Sequence, residues 1–318
     1  SPFPGFTPPP RHIDFMEEWQ RQLKESVTTP QELAAVFPVD TQIIEKVAER
    51  YPMRITPHYL KLIREPDDAI WRQCVPDVAE LDGAGFPDDP LCEDDLSPVP
   101  HLVHRYPRRV LLLVSGSCAM YCRFCTRKRK VGCAGMHVSF SEVLAAIDYI
   151  AKTPQVNEVI LSGGDPLMIS DLLLGEILGR IARIPHVELL RLATRVPAVL
   201  PERITEGLCT VLKRHLPLFL TTHFNHPAEV TPEAAEACAR LADAGIPLGN
   251  QTVLMKGVND GQEVLAELFT KLLRIRVRPY YPHHMDTAAG TAHFRTTLER
   301  GMEIVTALRA SVSGLAIP

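Results

Sequence analysis

The sequence predicts an α/β fold, a partial and open (β/α)6 barrel with an N-terminal helical extension. Three observations lead there. From Arg109 onward, strand-like runs alternate with amphipathic helical runs six times, the pattern of a parallel sheet with short right-handed crossovers. Six units suit a partial barrel better than a closed eight-fold one. Ahead of Arg109, residues 12 to about 100 carry apolar residues at helical spacing with no strand alternation. The chain therefore divides into a Pro-rich arm at 1–11, a helical region at 12–105 and the barrel at 106–318.

The elements follow in order. SPFPGFTPPP lacks the cationic and apolar regions of a signal peptide and reads as a disordered or docked arm. DFMEEWQRQLKESV, TPQELAAVF and TPHYLKLI read as helices, the second with Thr, Pro and Glu at its start. PDDPLCEDDLSPVP is a rigid acidic connector. The strands are RVLLLVSG (109–116), NEVILSGG (157–164), VELLRLATR (187–195), LPLFLTTHF (216–224), IPLGNQTVLM (246–255) and VRPYYPHHM (277–285). Helices fall around 139–151, 171–184, 201–215, 231–244, 260–274 and 292–311. Ser139 and Glu142 form a capping box for the first. Leu298, Met302, Val305 and Leu308 give the last an apolar stripe, read as core.

Composition narrows the function classes. The 318 residues are 46% apolar and 23% charged with a net charge of −4, so no global field for nucleic acid or membrane surfaces exists. No apolar run reaches membrane-spanning length. Eight cysteines in a chain this long are not a small secreted disulfide framework and read as reduced thiols of a cytoplasmic protein.

Cys118, Cys122 and Cys125 stand in SGSCAMYCRFCTRKRK, just after the first strand, three residues and then two apart. Three thiolates so close can hold three irons of a [4Fe–4S] cube and leave the fourth iron open to chelate S-adenosylmethionine (SAM). Structural zinc usually wants four ligands, and the nearest further thiol, Cys133, has no partner close by. The four-cysteine run of a two-cluster ferredoxin is absent. Three unconnected thiols of a reduced chain remain the plain alternative. The basic run Arg127–Lys130 reads as a solvated loop or as anion binding beside the thiols. Polar and glycine residues gather at the other strand ends too: Ser162–Asp165, Thr194-Arg195, Thr222-His223, Asn250-Gln251 and His283–Asp286. In a parallel barrel these ends share one mouth.

Taken together, SPVPHLVHRYPRRVLLLVSGSCAMYCRFCTRKRK, VILSGGDPLM, THFNHP, DAGIPLGNQTVLMKGVND, IRVRPYY and HFRT resemble the lysine 2,3-aminomutase family of radical SAM enzymes. The resemblance covers nearly the whole chain and implies a radical SAM barrel with a [4Fe–4S] cluster, SAM and pyridoxal 5′-phosphate (PLP). Cys118, Cys122 and Cys125 match the cluster ligands. Ser162, Gly163, Gly164 and Asp165 match the SAM-contacting strand end, where glycine lets backbone approach closely; a tight strand-to-helix turn is the other reading. His223 resembles the histidine that reaches SAM, or is a satisfied core histidine, and Thr194 and Arg195 join that side. Tyr106, Arg109 and Gln251 match positions around the PLP ring or phosphate, with Asn250 a neighbour; a guanidinium fork suits a phosphate. Arg109 alone also reads as a surface ion-pair partner. Arg127 matches the arginine that pairs with the substrate carboxylate. Asp286 matches an acidic residue that meets the substrate ε-ammonium in lysine-specific members; alone it reads as a loop-capping Asp. His283 and His284 depart from the expected pattern.

The resemblance implies an isomerase that interconverts L-lysine and β-lysine through a 5′-deoxyadenosyl radical and a PLP aldimine. It implies an electron donor such as flavodoxin or ferredoxin, a homo-oligomer, and no nucleic-acid or membrane partner. The glycine-rich segment bearing the PLP lysine lies beyond Pro318 in the family, so no catalytic lysine is assigned and residues 1–318 are expected to lack full turnover. Gly261 stands where some members place a partner-subunit Cys, and no zinc is expected. Alternatives are a β-lysine-forming enzyme for elongation factor P modification, an aminomutase for another amino acid, and a PLP-free radical SAM-like binding or scaffold protein.

Overall fold

The computed structural model describes residues 16–82, 85–133, 136–215 and 217–318; the arm at 1–11 and Leu216 lie outside the described residues. The N-terminal region holds short helices α1 (Glu18–Lys24), α2 (Pro30–Ala34), α3 (Thr41–Ala48), α4 (Pro57–Leu60) and α5 (Trp71–Cys74), then a 3-10 turn at Val78–Leu81. The Thr29 hydroxyl accepts from the Glu32 amide at 3.2 Å while the Glu32 carboxylate accepts from the Thr29 amide at 3.0 Å. This reciprocal box fixes the start of α2.

Seven strands form one sheet in sequence order: β1 (Leu102–Tyr106), β2 (Arg109–Ser115), β3 (Glu158–Gly163), β4 (Leu189–Ala193), β5 (Leu218–Thr222), β6 (Leu248–Leu254) and β7 (Arg278–His284). β2 to β7 are parallel, and β1 and β7 are the sheet's edges. This is the expected partial barrel. One strand differs from the expectation. β1 falls largely inside the span read as helical, yet it pairs antiparallel with β2, Leu102 opposite Leu112 and Tyr106 opposite Arg109. It is a five-residue hairpin arm turned at Pro107-Arg108, too short to stand out by alternation alone.

The crossovers are α6 (Phe140–Ala151), α7 (Asp171–Ala182), the short α8 (Val196–Val199) with α9 (Glu206–Lys213), α10 (Pro232–Asp243) and α11 (Gln262–Arg274); α12 (Leu298–Ser311) follows β7. The Ser139–Glu142 capping box is present. Each long crossover helix buries an i, i+3, i+4, i+7 stripe: Val143, Ala146, Ile147 and Ile150 in α6, and Leu265, Leu268, Phe269 and Leu272 in α11. These stripes pack on Val110, Leu112, Val159, Leu161, Leu190, Leu192, Leu218 and Leu220 of the sheet. Each such side chain contributes about 1.5–3 kcal/mol. The alternate residues face the concave side, as the buried–intermediate alternation of β6 shows.

α12 departs from its reading. Ile304 and Leu308 are its buried residues, whereas Leu298 and Met302 are 61% and 63% exposed. Those two side chains line an open groove with Pro282 and His283 instead.

Candidate functional site

The loop after β2 is gripped from the N-terminal region at many points. The Tyr121 amide donates to the Arg54 carbonyl at 3.1 Å and the Arg123 amide to the Gln73 carbonyl at 3.0 Å. Arg54 Nη1 donates to the Cys118 carbonyl at 3.0 Å. Between Cys122 and Cys125, the buried Arg123 guanidinium meets Glu80 at 2.9 and 2.6 Å and the carbonyls of Pro52 and Tyr51. Past Cys125, Lys128 Nζ donates to Glu80 at 2.5 Å and to the carbonyls of Arg123 and Gly290. Glu80 is fully buried. Burial alone would raise its carboxyl, but Arg123 and Lys128 outweigh that and hold it below the ordinary range. Burial pushes Lys128 down to about 8 against the pull of Glu80. Gly290, at φ +74°, lets the chain pass close to the Tyr51 ring and the Glu80 carbonyl, which delivers its own carbonyl to Lys128.

So clamped, Cys118, Cys122 and Cys125 line one small cavity with Tyr51, Pro52, Tyr121, Arg123, Lys128 and Val131. Burial raises the Cys118 and Cys125 thiols. Among the described residues no group of three or more His, Cys, Asp or Glu is arranged to hold a single metal ion. The three thiols surround a cavity instead, which is what a four-iron cluster asks of them. Soft thiolates are the donors such clusters take, and no fourth Cys lines this cavity. The donor set therefore fits a cluster with one iron left open.

β3 ends against this loop. A Cβ on Gly163 would lie 2.3 Å from the Ser115 carbonyl oxygen, and one on Gly164 would lie 2.3 Å from that of Ser117. Gly163 also sits at φ +134°. The glycines thus serve a close chain-to-chain approach, since the Gly164 amide donates to the Ser115 carbonyl at 2.6 Å and the Asp165 amide to that of Ser117 at 2.9 Å. That reason differs from the ligand approach expected for them, though Ser162 and the turn still border the loop. The Asp165 carboxylate is occupied within the chain: it accepts from Thr194 Oγ1 at 2.8 Å, the Arg195 amide at 2.8 Å and the Leu167 amide at 3.0 Å. It fixes the turn after β4.

That turn aims Arg195 at the thiols. Arg195 Nη1 donates to Cys122 Sγ at 2.8 Å, and Nη2 reaches Tyr59 Oη, Gln73 Oε1 and Glu229 Oε1 at 3.1, 2.6 and 2.7 Å. His223, after β5, packs edge-on to Phe124 and bonds Asn225 Oδ1 at 3.0 Å. Burial, with Arg195 and His283 nearby, pushes it down to about 3, so it is neutral at working pH. Asn250 lies opposite Thr222, the last residue of β5, which sets 250–251 level with the strand ends although β6 continues to Leu254. Its amide is spent on Phe224 and Thr252, accepting from the Phe224 amide at 2.7 Å and donating to the Phe224 carbonyl and Thr252 Oγ1. These bonds occupy a side chain that is buried. Gln251, one residue on, takes the concave side by the strand's alternation.

Tyr106 and Arg109 sit at the other end. Arg109 opens β2 opposite Glu158, four residues before Leu113, which pairs with Ser162; the drop is about 13 Å. The candidate residues therefore lie at two levels along the strands rather than at one mouth. Arg109 lies over the Tyr106 ring at 4.4 Å and 3.9 Å from Glu158, so both the ion-pair reading and the phosphate reading keep a basis. Arg191 meets Glu158 at 2.6 Å and keeps a buried Nε with no partner. A cavity of about 370 Å³ opens here, walled by Leu189, Phe219 and Tyr280 with Arg191 and Arg278. Guanidinia beside an aromatic wall fit a phosphorylated ring such as PLP.

Arg127 is held by Glu93 through Nε and Nη2 at 2.6–3.0 Å, an anchor absent from the sequence reading. Asp286 is exposed in the loop after β7, within electrostatic reach of His283. His283 stacks on Tyr281 with centroids 5.2 Å apart, while His284 bonds the Thr296 carbonyl at 2.9 Å. Glu80, Glu93, Glu229, Gln73 and Tyr59 were all missed. The spacing of His226 and Glu229 signals a local cap, which the structure contains. The bond from Tyr59 to Glu229 spans 170 residues and leaves no local trace.

Residues 112–269 match the Radical SAM superfamily. The chain is 47% identical over 307 residues to L-lysine 2,3-aminomutase of Clostridium subterminale, covering 95% of this chain and 74% of that one. It is 43% identical to the L-lysine 2,3-aminomutase of Bacillus subtilis strain 168, covering 95% and 65%. It is 39% identical to the glutamate 2,3-aminomutase of Clostridioides difficile strain 630, covering 95% and 74%.

Proposed function

Because the chain belongs to the lysine 2,3-aminomutase family of radical SAM proteins, we propose that it interconverts L-lysine and β-lysine by moving the amino group between neighbouring carbons. The observation that carries this reading is the set of three thiols around one cavity, with a separate cationic and aromatic cavity nearer the starts of the strands. When bound, a [4Fe–4S] cluster with SAM supplies a one-electron source and a hydrogen-abstracting radical, and PLP supplies a ring that spreads unpaired electron density.

The chain's own residues bind and orient. Cys118, Cys122 and Cys125 hold three irons. Ser162 and the glycine turn form the wall beside them, with Thr194, Arg195 and His223 behind; neutral His223 presents no charge to a sulfonium. Tyr106 and Arg109 take the PLP phosphate, which a guanidinium fork answers, and Gln251, higher along the strands, takes the ring. Arg127, fixed by Glu93, takes the substrate carboxylate. Asp286 takes the distal ammonium and repels the carboxylate of a glutamate side chain. The ion pairs that flank the thiols are buried, which limits the water that could quench a radical there.

The electron donor is a small carrier such as flavodoxin or ferredoxin, and the protein is a cytoplasmic homo-oligomer. No described helix is long and apolar enough to cross a membrane, and the eight cysteines are free thiols, in keeping with a reducing compartment.

The test uses the protein expressed to its natural stop codon, beside residues 1–318. Both are reconstituted anaerobically with iron, sulfide and PLP, then given SAM, reductant and L-lysine or L-glutamate. Mass spectrometry should find β-lysine and no β-glutamate from the protein expressed to its natural stop codon. Cleavage of SAM without β-lysine would remove lysine as substrate, and no cleavage at all would remove the whole reading.

A further inference from the structure

Arg195 has a feature that cofactor holding alone does not explain. Its guanidinium is 7% exposed at residue level and reaches a cysteine sulfur with one nitrogen and a buried carboxylate with another. Glu229, fully buried, also accepts from Tyr59 Oη at 2.9 Å and from the amides of Asn225 and His226. The guanidinium lies 5.0 Å from the Phe124 ring and 5.5 Å from that of Tyr59. Its backbone amide is tied to Asp165. The fork can therefore neither swing away nor be replaced by water.

We propose that Arg195 is a positioning residue that sets the reduction potential of the cluster through Cys122, with Glu229 as its counterweight. The inference rests on Cys122 being a cluster ligand. Hydrogen bonds to the sulfurs and local charge are among the main determinants of such potentials, and ligand partners outside the metal's own shell are a general means of tuning. A fixed positive charge donating to a ligand sulfur favours the form that carries one electron more. That electron comes from an external one-electron donor, and no bond is made or broken in the step. A guanidinium stays charged at every working pH. The carboxylate of Glu229 subtracts part of that effect, so the two residues pull the potential in opposite directions.

Opposite signs give the test. In the reconstituted full-length protein, the potential is read by anaerobic redox titration followed by electron paramagnetic resonance, with iron and sulfide counted in every sample. Arg195→Gln should lower the potential, about a tenfold loss in the equilibrium constant for reduction, or about 59 mV for one electron. Arg195→Lys, which keeps the charge and loses the fork, should fall between. Glu229→Gln should raise it. Both Gln variants at the wild-type potential, or both shifted the same way, would overturn the proposal. Where Arg195→Gln holds no cluster, Glu229→Gln decides alone, a rise supporting the proposal and any other result overturning it. Loss of the cluster from both would reduce the network to a scaffold and overturn the tuning. A Cys122→Ala protein that still holds its cluster would instead remove the underlying ligand assignment.

Discussion

At the head of the sheet, beside the cysteine loop, three buried carboxylates, Glu80, Glu93 and Glu229, each hold a cation at 2.5–2.7 Å, and the cations come from that loop or touch a cysteine sulfur. At its foot, Glu158 is shared between Arg191 at 2.6 Å and Arg109 at 3.9 Å, beside Tyr106, Phe219 and Tyr280, which are 40–50% exposed. The head is over-determined before any cofactor binds. The foot is half-open and keeps spare donor capacity. A cluster needs its three sulfurs at fixed positions, so its loop is locked by long-range ion pairs. A ring and phosphate bring their own charge, so their site can wait for it.

If this contrast is right, substitutions at the head should cost far more stability than those at the foot. Glu80→Gln leaves Arg123 and Lys128 buried with half their partner gone and should cost ~3–5 kcal/mol, read from urea unfolding, with iron uptake falling in parallel. A loss below 1 kcal/mol would mean the clamp is ornamental. Gly163→Ala must push a Cβ against the Ser115 carbonyl and should cost about 1–3 kcal/mol, whereas Gly314→Ala, with nothing within 4 Å, should stay within about 0.5 kcal/mol. Equal effects would sink the close-approach argument.

His223 gives a pH signature of the head. Its folded value of about 3 lies below the ordinary 6.5. The unfolded chain therefore takes up the proton first, and this contribution to stability is complete above pH 6.5 and is lost as pH falls toward 3. Between pH 7.5 and 5 the wild type should lose about 2 kcal/mol more than His223→Gln; parallel losses would place a different group there. The foot should be nearly indifferent in stability. Arg109→Gln should leave unfolding within about 1 kcal/mol while weakening PLP binding, followed by absorbance. Unchanged PLP affinity would leave Arg109 as the surface ion-pair partner of Glu158.

The sheet was legible because periodicity is local. The six parallel strands and their helices appear within a few residues of where alternation and capping place them, down to the Ser139–Glu142 box. β1 was not, being five residues before a turn, and the α12 stripe misled because apolar spacing does not reveal whether anything covers a helix at a sheet edge. The cysteines were legible by spacing. What holds them was not: Glu80 with Lys128 and Tyr59 with Glu229 join residues 48 and 170 apart. The bonds that occupy Asp165 and Asn250 were not legible either, because a side chain's partners are set by register and by residues elsewhere in the chain.

The most direct measurement is an iron count and electron paramagnetic resonance spectrum of the anaerobically reconstituted, reduced protein, with and without SAM. Wild type should bind four irons per chain and change its spectrum on adding SAM, and Cys118→Ala, Cys122→Ala and Cys125→Ala should each abolish both, while Cys133→Ala should not. A wild-type spectrum indifferent to SAM, or a cluster that survives loss of Cys122 and disappears with Cys133, would contradict the three-thiol centre on which the rest is built.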